Sequence, residues 1–456
     1  MDYGIVVNNQ KCACGKVHAA GIDDCISGKG VLAKLPEIIG RYNGKKAFVV
    51  ADKNTFAAAG EKVCAVLESG GIAYTKHIFN SDALEPNEAA VGAAVLHFDK
   101  ACDIIVGVGS GVINDICKIL ANLTERTYII VATAPSMDGY ASATSSMTRD
   151  GLKISLPSKC ANVVIGDVDI LKEAPLHMLK SGLGDMLAKY VSICEWRIAN
   201  LVTGEYYCEK IADLIRSALK KCVENADGLL ERKEEAVQAV FEGLVLGGVA
   251  MNFAGLSRPA SGVEHYFSHI WDMRGEAFNT PVDLHGIQCA IGTLTAVKLY
   301  EKLKAYAPNR EKAMAYVKGF DYAAWKKTLS AYLGKAADAM IALEEKEQKY
   351  SVESHKDRFE ILCASWDAIL KIIGEELPSS AELEALLDKI EAPKAPAEIG
   401  ISMAIAKSEV FDIYAKKGLP MHLYCADTEE DVQFCIEKGA SLITANDPSA
   451  LLKLLR

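Results

Sequence analysis

Four residues of this chain have the chemistry to hold a divalent cation. His265 and His269 lie four apart in EHYFSH, so on a helix they share one face. His285 follows in LHGIQ and opens another helical pattern, and Asp185 stands in GLGDMLAK near a helix start. One carboxylate with two or three imidazoles makes a catalytic metal site that keeps a coordination position open. A histidine pair at i and i+4 is by itself commoner as ordinary helix surface or core. Asp185 and His285 are what turn the pair into a metal reading. Zinc, nickel and iron(II) all suit such donors. A second group, Cys12, Cys14 and His18 in KCACGKVH, offers two thiols and an imidazole. It lacks a fourth ligand, and its cysteines stand one residue closer than the usual zinc pair. The segment therefore reads as a structural hairpin.

Glycines mark where a nucleotide could lie. Gly107-Val108-Gly109-Ser110-Gly111 follows an apolar strand, continues through Val112 and Ile113 as VINDICK to Lys118, and opens a helix. Glycines let the backbone turn sharply beside a ligand, and the amides of a helix start suit a pyrophosphate. The spacing is not the usual G-x-G-x-x-G, and a tight turn without ligand is the competing reading. Asp52 ends the apolar run KAFVVA. There a carboxylate can bind ribose hydroxyls and disfavour a 2′-phosphate, hence NAD over NADP, or simply cap a helix. The loop Thr133-Ala134-Pro135-Ser136-Met137-Asp138-Gly139-Tyr140-Ala141-Ser142 leaves another strand end and offers hydroxyls to ribose or phosphate.

The elements behind these motifs alternate strand and helix over the first ~170 residues, which predicts a parallel sheet with crossover helices. Strands are expected at Lys46–Ala51, Ile72–Phe79, Cys102–Val108, Thr127–Thr133 and Asn162–Asp167. Helices are expected at Thr55–Ser69, Glu88–Phe98 and Val112–Leu123. From about Pro175 a ~3.6-residue apolar period takes over, at Leu179–Asn200, Glu205–Leu230, Glu234–Asn252 and Ala336–Lys346. The expected domains are an α/β dinucleotide-binding domain at 1–174, a helical metal- and substrate-binding domain at 175–395, and an extension at 396–456 carrying two β/α-like units. That extension resembles the end of glycerophosphodiester phosphodiesterase barrels. Two units cannot close a barrel, so no such activity is assigned to it.

The chain has 456 residues, half of them apolar, and a formal net charge of −10. That balance gives no general attraction to nucleic acid or acidic membrane. No signal pattern and no membrane span is expected. Fourteen scattered cysteines fit reduced thiols in a cytoplasmic protein better than a disulfide framework.

The segments GVGSGVIND, ATAPSMDGYAS, SGLGDMLAKY, RPASGVEHYFSH and LHGIQCAIGTL stand in this order. In that they resemble the glycerol-1-phosphate dehydrogenases, particularly their bacterial AraM-like branch. That family lies within the iron-containing alcohol dehydrogenase and dehydroquinate synthase superfamily. The resemblance runs from about Gly30 to Ser402. It implies a Rossmann-like parallel-sheet α/β domain plus an all-helical C-terminal domain, dehydroquinate synthase-like in fold. It places metal ligands on Asp185, His265 and His285, and substrate contacts on Asp138, Asp185 and His269; the proton for the product alkoxide would come from metal-bound water or from His269 as general acid. It places cofactor contacts on Gly109, Ser110, Gly111, Val112, Ile113, Thr133, Ala134, Pro135, Ser136 and Ser142. Ser110 departs from the family's usual triple-glycine turn.

The implied activity is metal-dependent, NAD(P)H-linked, reversible reduction of dihydroxyacetone phosphate to sn-glycerol 1-phosphate, with zinc, nickel or iron as the metal and a homodimer as the assembly. Arg258 and Lys189 are candidates for the substrate phosphate. Two rival readings stand beside it. One is a glycerol or related alcohol dehydrogenase acting on an unphosphorylated polyol. The other is a catalytically silent metal- or nucleotide-binding protein. MDGYAS and RPASG fit a dehydrogenase rather than a dehydroquinate synthase.

Overall fold

The structure, a computed structural model, describes residues 9–81, 83–149, 152–348 and 351–401 and two short strands beyond them. Six parallel strands form the main sheet: β1 (Asp24–Gly28), β2 (Lys46–Asp52), β3 (Ala73–Phe79), β4 (Ile104–Gly109), β5 (Thr127–Ala132) and β8 (Val163–Asp167). Their order is β1-β8-β5-β4-β2-β3. Strands β6 (Thr144–Arg149) and β7 (Leu152–Pro157) pair as a separate antiparallel hairpin. The expected strands fall within a residue or two of those observed. β1 and the hairpin went unseen because neither is a long apolar run: β1 reads DCISG.

Crossovers are made by α1 (Leu35–Arg41), α2 (Lys53–Thr55), α3 (Glu61–Ser69), α4 (Glu88–His97) and α5 (Gly111–Thr124). The helix expected over Thr55–Ser69 is interrupted by a π turn at Phe56–Gly60. Alternate residues of β2 feed opposite faces of the sheet. Val49 and Ala51 pack with Leu35, Ile38, Val63 and Leu67, whereas Phe48 and Val50 pack with Ile116 and Leu120. Such two-sided burial is why these strands read as unbroken apolar runs.

A short helix α6 (Val168–Leu171) leads to α7 (Leu176–Leu187), α8 (Lys189–Thr203), α9 (Glu209–Glu224), α10 (Glu234–Ala254), α11 (Val263–Phe278) and α12 (His285–Leu303). The single helix expected over Leu179–Asn200 is two, meeting at Ala188. Helix α10 is long and apolar enough to cross a membrane, with mean hydropathy 1.4, but 72% of that stretch is buried inside the protein. It is a core helix.

The chain divides into two compact units. The first joins Met1–Ser268 to Leu284–Tyr306 and Ser365–Ala392. It therefore holds the sheet together with α7–α10 and α12, and no boundary falls at residue 174. One core runs through both parts, from Phe48 and Ile105 on strands to Leu183, Val191 and Leu244 on helices. The reason is close backbone contact: a Cβ on Gly182 of α7 would stand 1.9 Å from the Pro135 carbonyl oxygen.

The second unit holds His269–Asp283, Ala307–Ala364 and Pro393–Arg456. Its helices are α13 (Arg310–Lys318), α14 (Tyr322–Leu333), α15 (Ala337–Glu347) and α16 (Val352–Ala364), and Arg274 donates to the Tyr332 carbonyl at 2.6 Å. Helices α17 (Trp366–Glu376) and α18 (Ser380–Lys389) belong to the first unit. In the C-terminal extension, β9 (His422–Leu423) and β10 (Leu442–Ile443) pair in parallel. The helices expected there lie outside the described residues.

Candidate active site

Helices α7 and α12 cross with their backbones in contact. A Cβ on Gly184 would stand 2.3 Å from the Gly286 carbonyl, and one on Gly286 would stand 1.9 Å from the Ser181 carbonyl. Only glycines permit that approach. It sets Asp185 of α7 beside His285, the first residue of α12. Gly292 of α12 admits the Glu264 carbonyl in the same way, at 2.5 Å from its would-be Cβ. That contact seats His265, at the start of α11, on the same spot.

In the resulting cluster Asp185, His265 and Cys289 are buried and His285 is half-buried. Asp185 is fully buried, and its Oδ1 lies 3.9 Å from His265 Nε2. The two imidazole rings stand 5.0 Å apart between centroids. His265 donates its Nδ1–H to Glu264 Oε1 at 2.8 Å, which turns Nε2 toward Asp185. His285 Nδ1 lies 2.9 Å from Ser268 Oγ, and its Nε2 faces the Cys289 thiol at 3.6 Å. Sequence reasoning passed over Glu264, Ser268 and Cys289. Two signals were available: Ser268 follows His265 by three, and Cys289 follows His285 by four, so each pair shares a helix face.

A cation already occupies one edge of the cluster. Lys189 is buried and donates to Asp138 Oδ2 at 2.6 Å, Asp185 Oδ1 at 2.9 Å and the Ala260 carbonyl at 3.1 Å. Asp185 Oδ2 accepts the Asp138 amide at 2.9 Å. Burial alone would raise the Asp185 carboxyl, but Lys189, His285 and His265 outweigh it and hold it at about 2. Burial would likewise raise the Cys289 thiol, yet the imidazoles of His265 and His285 pull it below its ordinary value. Arg258, the other phosphate candidate, is taken by a forked ion pair with Glu205 at 2.9 Å. His269 follows His265 by one turn of α11 and falls in the second unit.

The glycine turn lies at the C-terminal end of β4. From β2 the chain proceeds outward to β3, then returns to place β4 on the other side of β2. The crevice beyond β2 and β4 is thus the sheet's switch point, where open α/β sheets bind ligands. Gly109 ends β4, Gly111 opens α5, and no side chain caps that helix. Its first-turn amides, including those of Val112 and Ile113, suit an anion. The Ser110 hydroxyl lies 2.6 Å from that of Ser136, joining the turn to the loop after β5. Thr133 and Ala134 are buried in that loop, and Ala134 accepts the Tyr140 phenol at 2.6 Å. Ser142 is buried against Lys118, which donates to it at 3.2 Å. Asp52 sits at the end of β2 beside this crevice, where its Oδ1 caps α2 through the Asn54 and Thr55 amides. The capping alternative is thus realised.

The donor set suits a divalent cation: His265, His285 and Cys289 bring ligand atoms within 4.8 Å of one another, and the buried Asp185 carboxylate lies 3.9 Å from His265 Nε2. Chain comparisons agree with this architecture. The family model described as iron-containing alcohol dehydrogenase matches residues 26–175. A glycerol-1-phosphate dehydrogenase [NAD(P)+] of Halalkalibacterium halodurans is 32% identical over 295 residues, covering 64% of this chain and 74% of that one. Its counterpart from Geobacillus stearothermophilus is 27% identical over 396 residues, covering 86% and 89%. Among solved structures, a 1,3-propanediol oxidoreductase superposes with TM-score 0.55 at 16% identity over 87% of this chain and 91% of that one. Glycerol dehydrogenase from Schizosaccharomyces pombe gives 0.54 at 18%, over 79% and 94%. These two share the fold. The fold is that of the iron-containing alcohol dehydrogenases. Within that class the chain belongs to the glycerol-1-phosphate dehydrogenase family.

Proposed function

We propose that this protein reversibly reduces dihydroxyacetone phosphate to sn-glycerol 1-phosphate with NAD(P)H. The observation that carries the reading is the convergence of the buried Asp185 and His265 with the half-buried His285, in a chain whose relatives are glycerol-1-phosphate dehydrogenases. The enzyme uses a nicotinamide cofactor and a divalent metal: the cofactor supplies hydride, and the metal acts as a Lewis acid toward the substrate carbonyl.

The chain's own residues do the rest. Asp185, His265 and His285 hold the cation, and Glu264 and Ser268 orient the two rings. Lys189 holds the Asp138 and Asp185 carboxylates in place, so both present a defined geometry to substrate. The turn at Gly109–Ile113 and the Thr133–Ser136 loop position the cofactor phosphates and ribose, with Asp52 beside them. His269, one turn beyond His265, is the proposed proton donor to the product alkoxide. A homodimer is the proposed assembly.

A second reading has a specific support. Both basic residues considered for the substrate phosphate are already paired, Lys189 with two carboxylates and Arg258 with Glu205. That favours a glycerol-type dehydrogenase on an unphosphorylated ketone. Metal-reconstituted enzyme assayed for NADH oxidation with dihydroxyacetone phosphate and with dihydroxyacetone separates them. Turnover confined to the phosphorylated ketone is expected. Turnover confined to the unphosphorylated one overturns the proposal.

A further inference from the structure

We propose that Cys12, Cys14, His18 and Cys208 form a second, structural zinc site that staples the N-terminal hairpin to the segment entering α9. The hairpin is real: Lys11 bridges Val17 in antiparallel fashion, Cys12 N donates to the Lys16 carbonyl at 2.8 Å, and Gly15 turns the chain at φ +92°. The fourth ligand that the hairpin lacks comes from Cys208, 190 residues beyond His18.

The spacings match a tetrahedral metal. All four ligand atoms lie within 4.8 Å of one another. Cys12 Sγ and Cys208 Sγ are 3.8 Å apart, and His18 Nε2 lies 3.4 Å from Cys14 Sγ and 3.7 Å from Cys208 Sγ. Zinc with Zn–S of about 2.3 Å and Zn–N of about 2.0 Å puts tetrahedral sulfurs about 3.8 Å apart and sulfur and nitrogen about 3.5 Å apart. A disulfide needs its sulfurs at about 2 Å, which no pair here approaches.

The surroundings are those of a ligand set. His18 Nδ1 lies 2.8 Å from the Phe253 carbonyl, which can only accept, so the ring proton sits there and the Nε2 lone pair faces the sulfurs. The Tyr206 phenol lies 3.2 Å from Cys14 Sγ and can donate to a thiolate. Lys16 Nζ sits 3.4 Å from the centre of the Tyr206 ring, a cation beside a site whose three thiolates and one Zn²⁺ leave a net charge of −1. With four protein ligands the site is closed to substrate, which makes it structural. It fixes the 206–208 segment, where Trp196 also holds the Tyr206 carbonyl, next to Glu205 and its partner Arg258 on the approach to α11.

The test uses the full chain, stripped of metal and loaded with cobalt(II), with the thiolate-to-cobalt charge-transfer absorption as readout. Cys289→Ser removes the thiol beside the other cluster. The band is expected to survive Cys289→Ser and His285→Ala, and to be lost in Cys208→Ser and in Cys12→Ser on the partly exposed hairpin. Zinc-loaded wild type should also protect Cys12, Cys14 and Cys208 from alkylation until a chelator is added. A band that vanishes with Cys289→Ser alone, or equal alkylation with and without zinc, overturns the proposal.

Discussion

The ammonium of Lys189 lies 2.9 Å from the carboxylate of Asp185, and neither side chain reaches solvent. Asp138 shares the same ammonium at 2.6 Å. Removing one partner of a buried ion pair leaves an uncompensated charge, at a cost of about 3–5 kcal/mol. Lys189→Met is therefore expected to lose about that much stability in urea unfolding of the metal-free protein. Adding the divalent metal should recover part of the loss, because the cation then neutralises Asp185. A deficit that is the same with and without metal contradicts Asp185 as a ligand.

Glu195 gives a pH prediction of defined sign. Burial, then the nearby Glu264 carboxylate, raises its carboxyl from the ordinary 4.5 to about 7, against opposing bonds from Tyr300 and the Val263 amide. The folded state thus holds this proton more tightly than the unfolded chain. Stability falls as pH rises from about 4.5 to about 7 and is flat above, with at most about 3 kcal/mol at stake. Glu195→Gln should remove that slope, as read from unfolding free energies across the range. An unchanged slope would place the titration elsewhere.

The crossing of α7 and α12 depends on Gly286, whose would-be Cβ stands 1.9 Å from the Ser181 carbonyl. Gly286→Ala must push the helices apart, at about 1–3 kcal/mol for overpacking. It should also weaken metal binding at least tenfold, because Asp185 and His285 separate. Calorimetric metal titration reads this directly. Wild-type affinity in that variant would show that the close crossing is not what sets the ligands.

Asp52 has two roles that one substitution can separate. Asparagine caps a helix as well as aspartate, so Asp52→Asn should leave the melting temperature nearly unchanged. If the carboxylate also repels a 2′-phosphate, the ratio of kcat/KM for NADH over NADPH falls severalfold. An unaltered ratio would leave Asp52 as a cap alone.

Much of this arrangement was legible in the chain. Two-sided burial made β2, β4 and β5 plain apolar runs, and helical spacing set His265 and His285 at α11 and α12. Contacts between distant segments were not legible. Cys208 carries no local sign that it meets Cys12, and Lys189 none that it bridges Asp138 and Asp185 rather than awaiting a phosphate. The shared core of sheet and helices was hidden for the same reason. It depends on where Gly182, Gly184 and Gly286 let backbones touch, and a periodicity reading treats glycines only as breaks.

The most direct test of the account is metal-restored NADH oxidation with dihydroxyacetone phosphate, in stripped wild type, His265→Ala and His285→Ala, with bound metal counted in each. Wild type should regain turnover on addition of zinc, nickel or iron(II). Each variant should bind one metal ion fewer per chain and stay inactive while remaining folded. Full metal-restored activity in either variant would contradict the assignment of Asp185, His265 and His285 as the catalytic metal site.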